Sequence, residues 1–131
     1  MFINELNYVD EAERVIKVLK DKKNPRTGKS EPMVTTSKLR NLLAMTSDIY
    51  NEVVVLTSDS LSDDIVGRIE YLRIRFVYEC GREPKVKELV QESKILDVLK
   101  EIKASRKNYI LFNRYMESLV AFHKFYGGKD N

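Results

Sequence analysis

The sequence predicts an all-α fold, a single compact bundle of about five helices in one domain spanning residues 1–131. Three observations carry this. Apolar residues recur at helical spacing through five separate segments. Glycine and proline are scarce, five and three residues, among many Leu, Lys, Glu and Ile, a composition that favours helix over sheet. Capping residues, glycines and prolines stand between the segments, where helices must stop and start.

The first helix is predicted over residues 8–22, with Val9, Ala12, Val15, Ile16 and Leu19 as its stripe. Asp10, Glu11 and Glu13 suit its positive N-terminal end. Residues 23–33 contain two prolines and a glycine and predict a flexible loop. A second helix opens at Thr35 or Thr36 and runs to about Leu56, through Leu39, Leu42, Met45, Thr46, Ile49 and Val53. Its β-branched end, Val53-Val54-Val55, also fits a strand, but the apolar stripe continues through it.

Ser60 or Ser62, followed by Asp63 and Asp64, marks the start of a third helix reaching about Cys80. Gly81 fits a left-handed stop, and Pro84 the start of a fourth helix over residues 84–103, irregular near Ser93. The fifth covers residues 105–126, with Phe112, Tyr115, Met116, Leu119, Val120 and Tyr126 on its main apolar face. Ile110, Leu111, Phe122 and Phe125 lie off that stripe and hint at a second buried face. Residues 127–131 predict a mobile tail.

A net charge of +3 does not by itself suggest nucleic acid, but its distribution is uneven. Residues 35–64 carry two basic and five acidic side chains, and residues 65–131 carry fourteen and nine. A basic second half suits a polyanionic partner, although a mixed solvated surface gives the same bias. Cys80 is the sole cysteine, so no intrachain disulfide and no cysteine-based metal site can form. No charged start and apolar run opens the sequence, and no stretch approaches the ~18 apolar residues of a membrane span. The expectation is a cytoplasmic protein with no membrane partner.

Catalytic signatures are missing. There is no Gly-rich phosphate loop, and His123 is the only histidine. His123 falls with Phe112, Met116 and Leu119, which favours a packed histidine over a nuclease base. Cys80 lies in line with Ile69 and Phe76 and reads as a buried thiol. Asp59, Asp63 and Asp64 read as helix capping, lacking the glycine and distal glutamate of a calcium loop. No catalytic residue, metal site or cofactor is expected.

One feature rises above this background. Arg68, Tyr71, Arg75, Tyr78 and Arg82 are spaced three, four, three and four residues apart, which puts them on one ridge of a helix. Leu61, Ile65, Ile69, Leu72, Phe76 and Cys80 supply the opposite, core-facing arc. Arginine bonds phosphate oxygens through a planar fork, and tyrosine offers a ring for stacking on base or sugar. The plainer reading is an amphipathic helix whose arginines pair with acids such as Glu79 or Glu70. Arg73 projects on the core side and must either snorkel out to solvent at a helix boundary or make a buried ion pair. Lys38, Arg40, Arg106, Arg114 and Lys124 extend the basic set.

Three strings carry a family resemblance. They are Thr35-Thr36-Ser37-Lys38-Leu39-Arg40, Tyr71-Leu72-Arg73-Ile74-Arg75-Phe76-Val77-Tyr78-Glu79, and the residues from Asn113-Arg114-Tyr115-Met116 through His123-Lys124-Phe125-Tyr126-Gly127-Gly128-Lys129. Over residues 34–130 the chain resembles the small subunit of type III-A CRISPR effector (Csm) complexes. The first helix and the Pro/Gly loop add nothing to the match. The resemblance implies an all-α antiviral-defence subunit with no activity of its own. It implies several copies stacked head to tail beside the backbone and large subunits, touching guide RNA and target RNA without sequence preference. Two other readings compete: a protein–protein scaffold without RNA contact, and a small hydrolase built on His123.

Overall fold

Each helix start needs acceptors for backbone N–H groups that the helix itself leaves unpaired. In the computed structural model, which describes residues 1–131, hydroxyls supply three of them. Thr35 Oγ1 accepts from Lys38 N, Ser62 Oγ from Ile65 N and Ser105 Oγ from Asn108 N. The elements are α1 (Tyr8–Lys20), α2 (Thr36–Val53), α3 (Asp63–Arg82), α4 (Pro84–Ser93), α5 (Ile95–Ile102) and α6 (Arg106–Phe125).

Six helices stand where the sequence predicts about five, because the fourth divides. Lys94 adopts a left-handed conformation (φ 58°, ψ 32°), which ends α4 and lets α5 restart at a new angle. The irregular spacing near Ser93 is the trace of that joint. The stop after α3 works differently from the expectation. Gly81 stays inside the helix and takes no positive φ. Glu83 is the residue forced extended (φ −129°, ψ 107°), since a residue before proline is pushed out of the helical region. Pro84 therefore ends one helix and begins the next. α2 ends at Val53, earlier than its apolar stripe suggests, and Val55 is left exposed.

α6 is the central strut. It packs on α2, α1 and α5 and buries Tyr109, Leu111, Phe112, Asn113, Tyr115, Met116, Leu119 and His123. α3 leans on α2, α4 and α5, with Phe76 meeting Phe112 at 6.4 Å between ring centroids. Of the residues off the main α6 stripe, Leu111 is buried and Phe125 is 76% exposed. Two buried phenols reach backbone carbonyls: Tyr109 donates to Thr46 O at 2.6 Å and Tyr115 to Ser93 O at 2.9 Å.

Residues 23–33, expected as a flexible loop, fold back into a small hairpin. Asn24 N donates to Lys29 O, Glu31 N donates to Lys22 O, and Gly28 turns the chain at φ +70°. Residues 127–131, expected to be mobile, lie against the start of α2. Thr36 N and Oγ1 both donate to Lys129 O (2.8 and 3.1 Å), and Ser37 Oγ donates to Asp130 O at 2.8 Å. Two of the orphan N–H groups of α2 are thereby satisfied by the tail. Gly127 (φ +83°) makes the turn, and Gly128 lies so close to the His123 ring that a Cβ there would come within 2.1–2.5 Å of three ring atoms.

Two stability predictions follow from this packing. Gly128→Ala must displace the ring or the tail, with an expected loss of about 1–3 kcal/mol in chemical denaturation. Burial raises the phenols of Tyr109 and Tyr115 well above their ordinary range. The unfolded chain then loses these protons first, so the stabilisation is complete below about pH 10 and falls as pH rises beyond it. Phenolate absorbance from these two rings is expected to appear only together with loss of helical circular dichroism.

Candidate nucleic-acid interface

A helix that must bury Ile65, Ile69, Leu72 and Phe76 turns its other arc to solvent. On α3 that arc holds Tyr71, Arg75, Tyr78 and Arg82, with Arg68 half-buried at its start. Tyr71 and Tyr78 are each 60% exposed, so neither phenol is used inside the monomer. The arc is also wider than the spacing alone indicates, since Ile74 (60%) and Val77 (53%) are exposed beside it. Their position off the Leu72–Phe76 line was the available signal.

The arginines differ in how freely they stand. Arg68 pairs with Glu52 of α2, whose hydrogen bond raises the guanidinium pKa further. Arg82 pairs loosely with Glu79 at 3.4 Å, the acid that the sequence could equally assign to Arg75. Arg75 has no ion-pair partner and lines a cleft between α2 and α3 with Tyr71, Arg68 and Gly67. Asp48 of α2 and Asp63 and Asp64 from the first turn of α3 line the same cleft, so acids and arginines face it together. Arg73 pairs with Glu70 at 2.9 Å and reaches the surface, one of the two outcomes its core-side position allows.

The remaining basic candidates scatter. Lys38 donates to Glu83 at 2.7 Å, holding that carboxylate below its usual range, and this places it near Arg82 at one end of the ridge. Arg40 is exposed on α2 and Arg114 is exposed on α6, lining a shallow cleft with Tyr50. Lys124 stands 3.5 Å from Asp130. Arg106 is a structural residue: its Nε donates to Val53 O at 3.1 Å and its second guanidinium nitrogen to Val54 O at 2.8 Å, closing the end of α2. Two of its guanidinium nitrogens are thereby engaged by carbonyls at the end of α2.

The other singled-out groups sit apart from this face. His123 is fully buried; its Nε2 donates to Val34 O at 2.6 Å and its Nδ1 lies 3.4 Å from Thr36 Oγ1. Both nitrogens face backbone or hydroxyl groups, with no carboxylate beside them. Burial raises the Cys80 thiol, which suppresses the reactive thiolate. Asp63 and Asp64 occupy the first turn of α3, as capping predicts. No group of three or more His, Cys, Asp or Glu side chains is placed to hold a metal ion, and no helix is long and apolar enough to cross a membrane.

The sequence matches the family model "Csm2 Type III-A" over residues 8–129. The chain belongs to the Csm2 family. It is 42% identical to CRISPR system Cms protein Csm2 of Streptococcus thermophilus over 128 residues, covering 98% of both chains. It is 38% identical to the protein of that name from Mycobacterium tuberculosis (strain CDC 1551 / Oshkosh), covering 99% of both. A third protein of the name, from Enterococcus italicus, is 40% identical over 71% of this chain and 68% of its own. The protein is thus the small subunit of a type III-A CRISPR complex and acts together with other subunits. The family match begins at Tyr8, well before residue 34, so α1 belongs to the shared fold. α1 earns that place by burying Ala12, Val15, Ile16 and Leu19.

Arg106 and Arg75 should therefore separate in mutagenesis. Arg106→Ala leaves two carbonyls without their charged donor, with an expected loss of about 1–2 kcal/mol. Arg75→Ala, which breaks no side-chain hydrogen bond or ion pair, is expected to stay within about 0.5 kcal/mol of the parent in the same denaturant titration.

Proposed function

We propose that this Csm2-family subunit is non-catalytic and grips the sugar-phosphate backbone of the guide–target RNA along the exposed arc of α3. The carrying observation is the solvent-facing line Tyr71–Arg75–Tyr78–Arg82, in which Arg75 is unpaired and both phenols are free of the core. Guanidinium forks bind phosphate oxygens, and the rings lie against sugars or bases with little regard to sequence. Arg68 and Lys38 continue the line once RNA competes with Glu52 and Glu83 for them. Those pairs are partly solvated, so exchanging a carboxylate for a phosphate costs little. Arg40, Arg114 and Lys124 contribute longer-range attraction. The subunit works in the cytoplasm, in antiviral defence, beside the backbone and large subunits and further copies of itself.

A second reading, a scaffold subunit that touches only protein, has Ile74 and Val77 in its favour. Both are more than half exposed, and with Leu96, Arg73 and Lys100 they line a groove between α3 and α5. Aromatic and arginine residues around an apolar centre also suit a protein interface.

The two readings separate in one experiment. Arg68, Arg75 and Arg82→Ala together are expected to weaken capture of target RNA by the assembled complex about tenfold or more near 0.1 M salt, with a shallower salt dependence and unchanged helical content. Undiminished capture by a folded, incorporated triple variant would sink the RNA reading in favour of the scaffold.

A further inference from the structure

We propose that the joined C-terminal ends of α1 and α6 form a second nucleic-acid site, separate from α3, that takes unpaired nucleotides by stacking on Phe125. The observation is an aromatic cluster ringed by cations. Phe125 is 76% exposed, the most exposed aromatic side chain in the protein. It stands edge-on to Tyr126 at 5.0 Å, and Tyr126 in turn lies nearly parallel to Phe122 at 6.3 Å. The Tyr126 hydroxyl donates to Glu13 at 2.7 Å, a bond that raises its pKa and fixes the ring as a support. Phe125 is thus presented by a rigid base and covered by nothing.

Charge complementarity decides what suits it. The Lys17 and Lys20 ammonium groups lie 5.8 and 5.6 Å from the Tyr126 ring centroid. Neither they nor the exposed Lys129 takes part in an ion pair, whereas Glu13, Glu31 and Asp130 are engaged by Tyr126, Lys85 and Lys124. Lys20, Tyr126 and Lys129 line a cleft of about 380 Å³ beside the hairpin residues 30–33. The cations stand on Tyr126, the ring that Phe125 abuts, so a single strand can lay a base on Phe125 and the adjoining phosphates toward the ammonium groups beside Tyr126. A paired duplex hides its base faces and gains only the electrostatic part. α3 packs on α2, α4 and α5, while α1 packs on α6 and α4, so the two sites act through different elements.

The test uses the full chain and a short single-stranded RNA carrying 2-aminopurine, whose fluorescence is quenched by stacking, alongside a fully paired RNA of the same length. Phe125→Ala is expected to abolish protein-induced quenching and weaken single-strand binding about fivefold or more, with duplex binding unchanged. Phe125→Trp is expected to restore the quenching. Lys17→Gln with Lys20→Gln is expected to flatten the salt dependence of single-strand binding by roughly one unit of log-log slope. Arg75→Ala with Arg82→Ala is expected to leave the quenching intact, so failure of the α3 reading would not carry this one with it. Unchanged quenching in Phe125→Ala overturns the proposal. So does a Phe125→Ala protein that loses self-association in light scattering while quenching persists, which would assign the ring to a protein contact.

Discussion

Nearly everything in this molecule is referred to α6, because that helix is enclosed on most of its circumference and cannot move without opening the core. Its inward side holds two tyrosines whose hydroxyls need acceptors once they leave water. Thr46 and Ser93 provide them from α2 and from the end of α4. Those bonds register three helices along a common axis more tightly than apolar packing would. At its N-terminal end Arg106 holds the last carbonyls of α2; at its C-terminal end His123 donates to the Val34 carbonyl just ahead of α2, and the carbonyls of Lys129 and Asp130 accept from the first amides. α2 is therefore pinned to α6 at both ends.

With that frame fixed, α3 has little freedom in what it displays. Ile65, Ile69, Leu72 and Phe76 choose the buried side, and the geometry of the helix then places Tyr71, Arg75 and Tyr78 outward. Two exposed glycines, Gly67 and Gly81, flank the line and leave open space at their Cα atoms. A ligand backbone can approach α3 closely there. The same outward turn that frees Arg75 leaves Ile74 and Val77 exposed, so the face mixes polar grip with apolar contact.

How much of this could be read from residues alone depended on the range of the interaction. Helix positions, a capping serine ahead of α3 (Ser60 or Ser62) and the core arc of α3 are local, and spacing reveals them. The division of the fourth helix was visible only as irregularity, since nothing in a lysine announces a left-handed φ. Gly81 misled because its freedom is not used; the neighbouring proline does the work instead. Arg106 could not be told from an RNA-binding arginine, because the carbonyls it serves lie more than fifty residues earlier in the chain. The seating of residues 127–131 is likewise a long-range fact. The outward ridge was legible because a helix period of about 3.6 residues decides it, whereas which of its arginines stands unpaired was not.

The enclosure of His123 has a practical side. The protein contains one imidazole, fully shielded, with Gly128 laid across its ring and Val34 occupying Nε2. A histidine-directed acylating reagent can reach it only while the tail is lifted. The rate of that single modification then counts the openings of one corner of the fold, a local clock that runs independently of global unfolding.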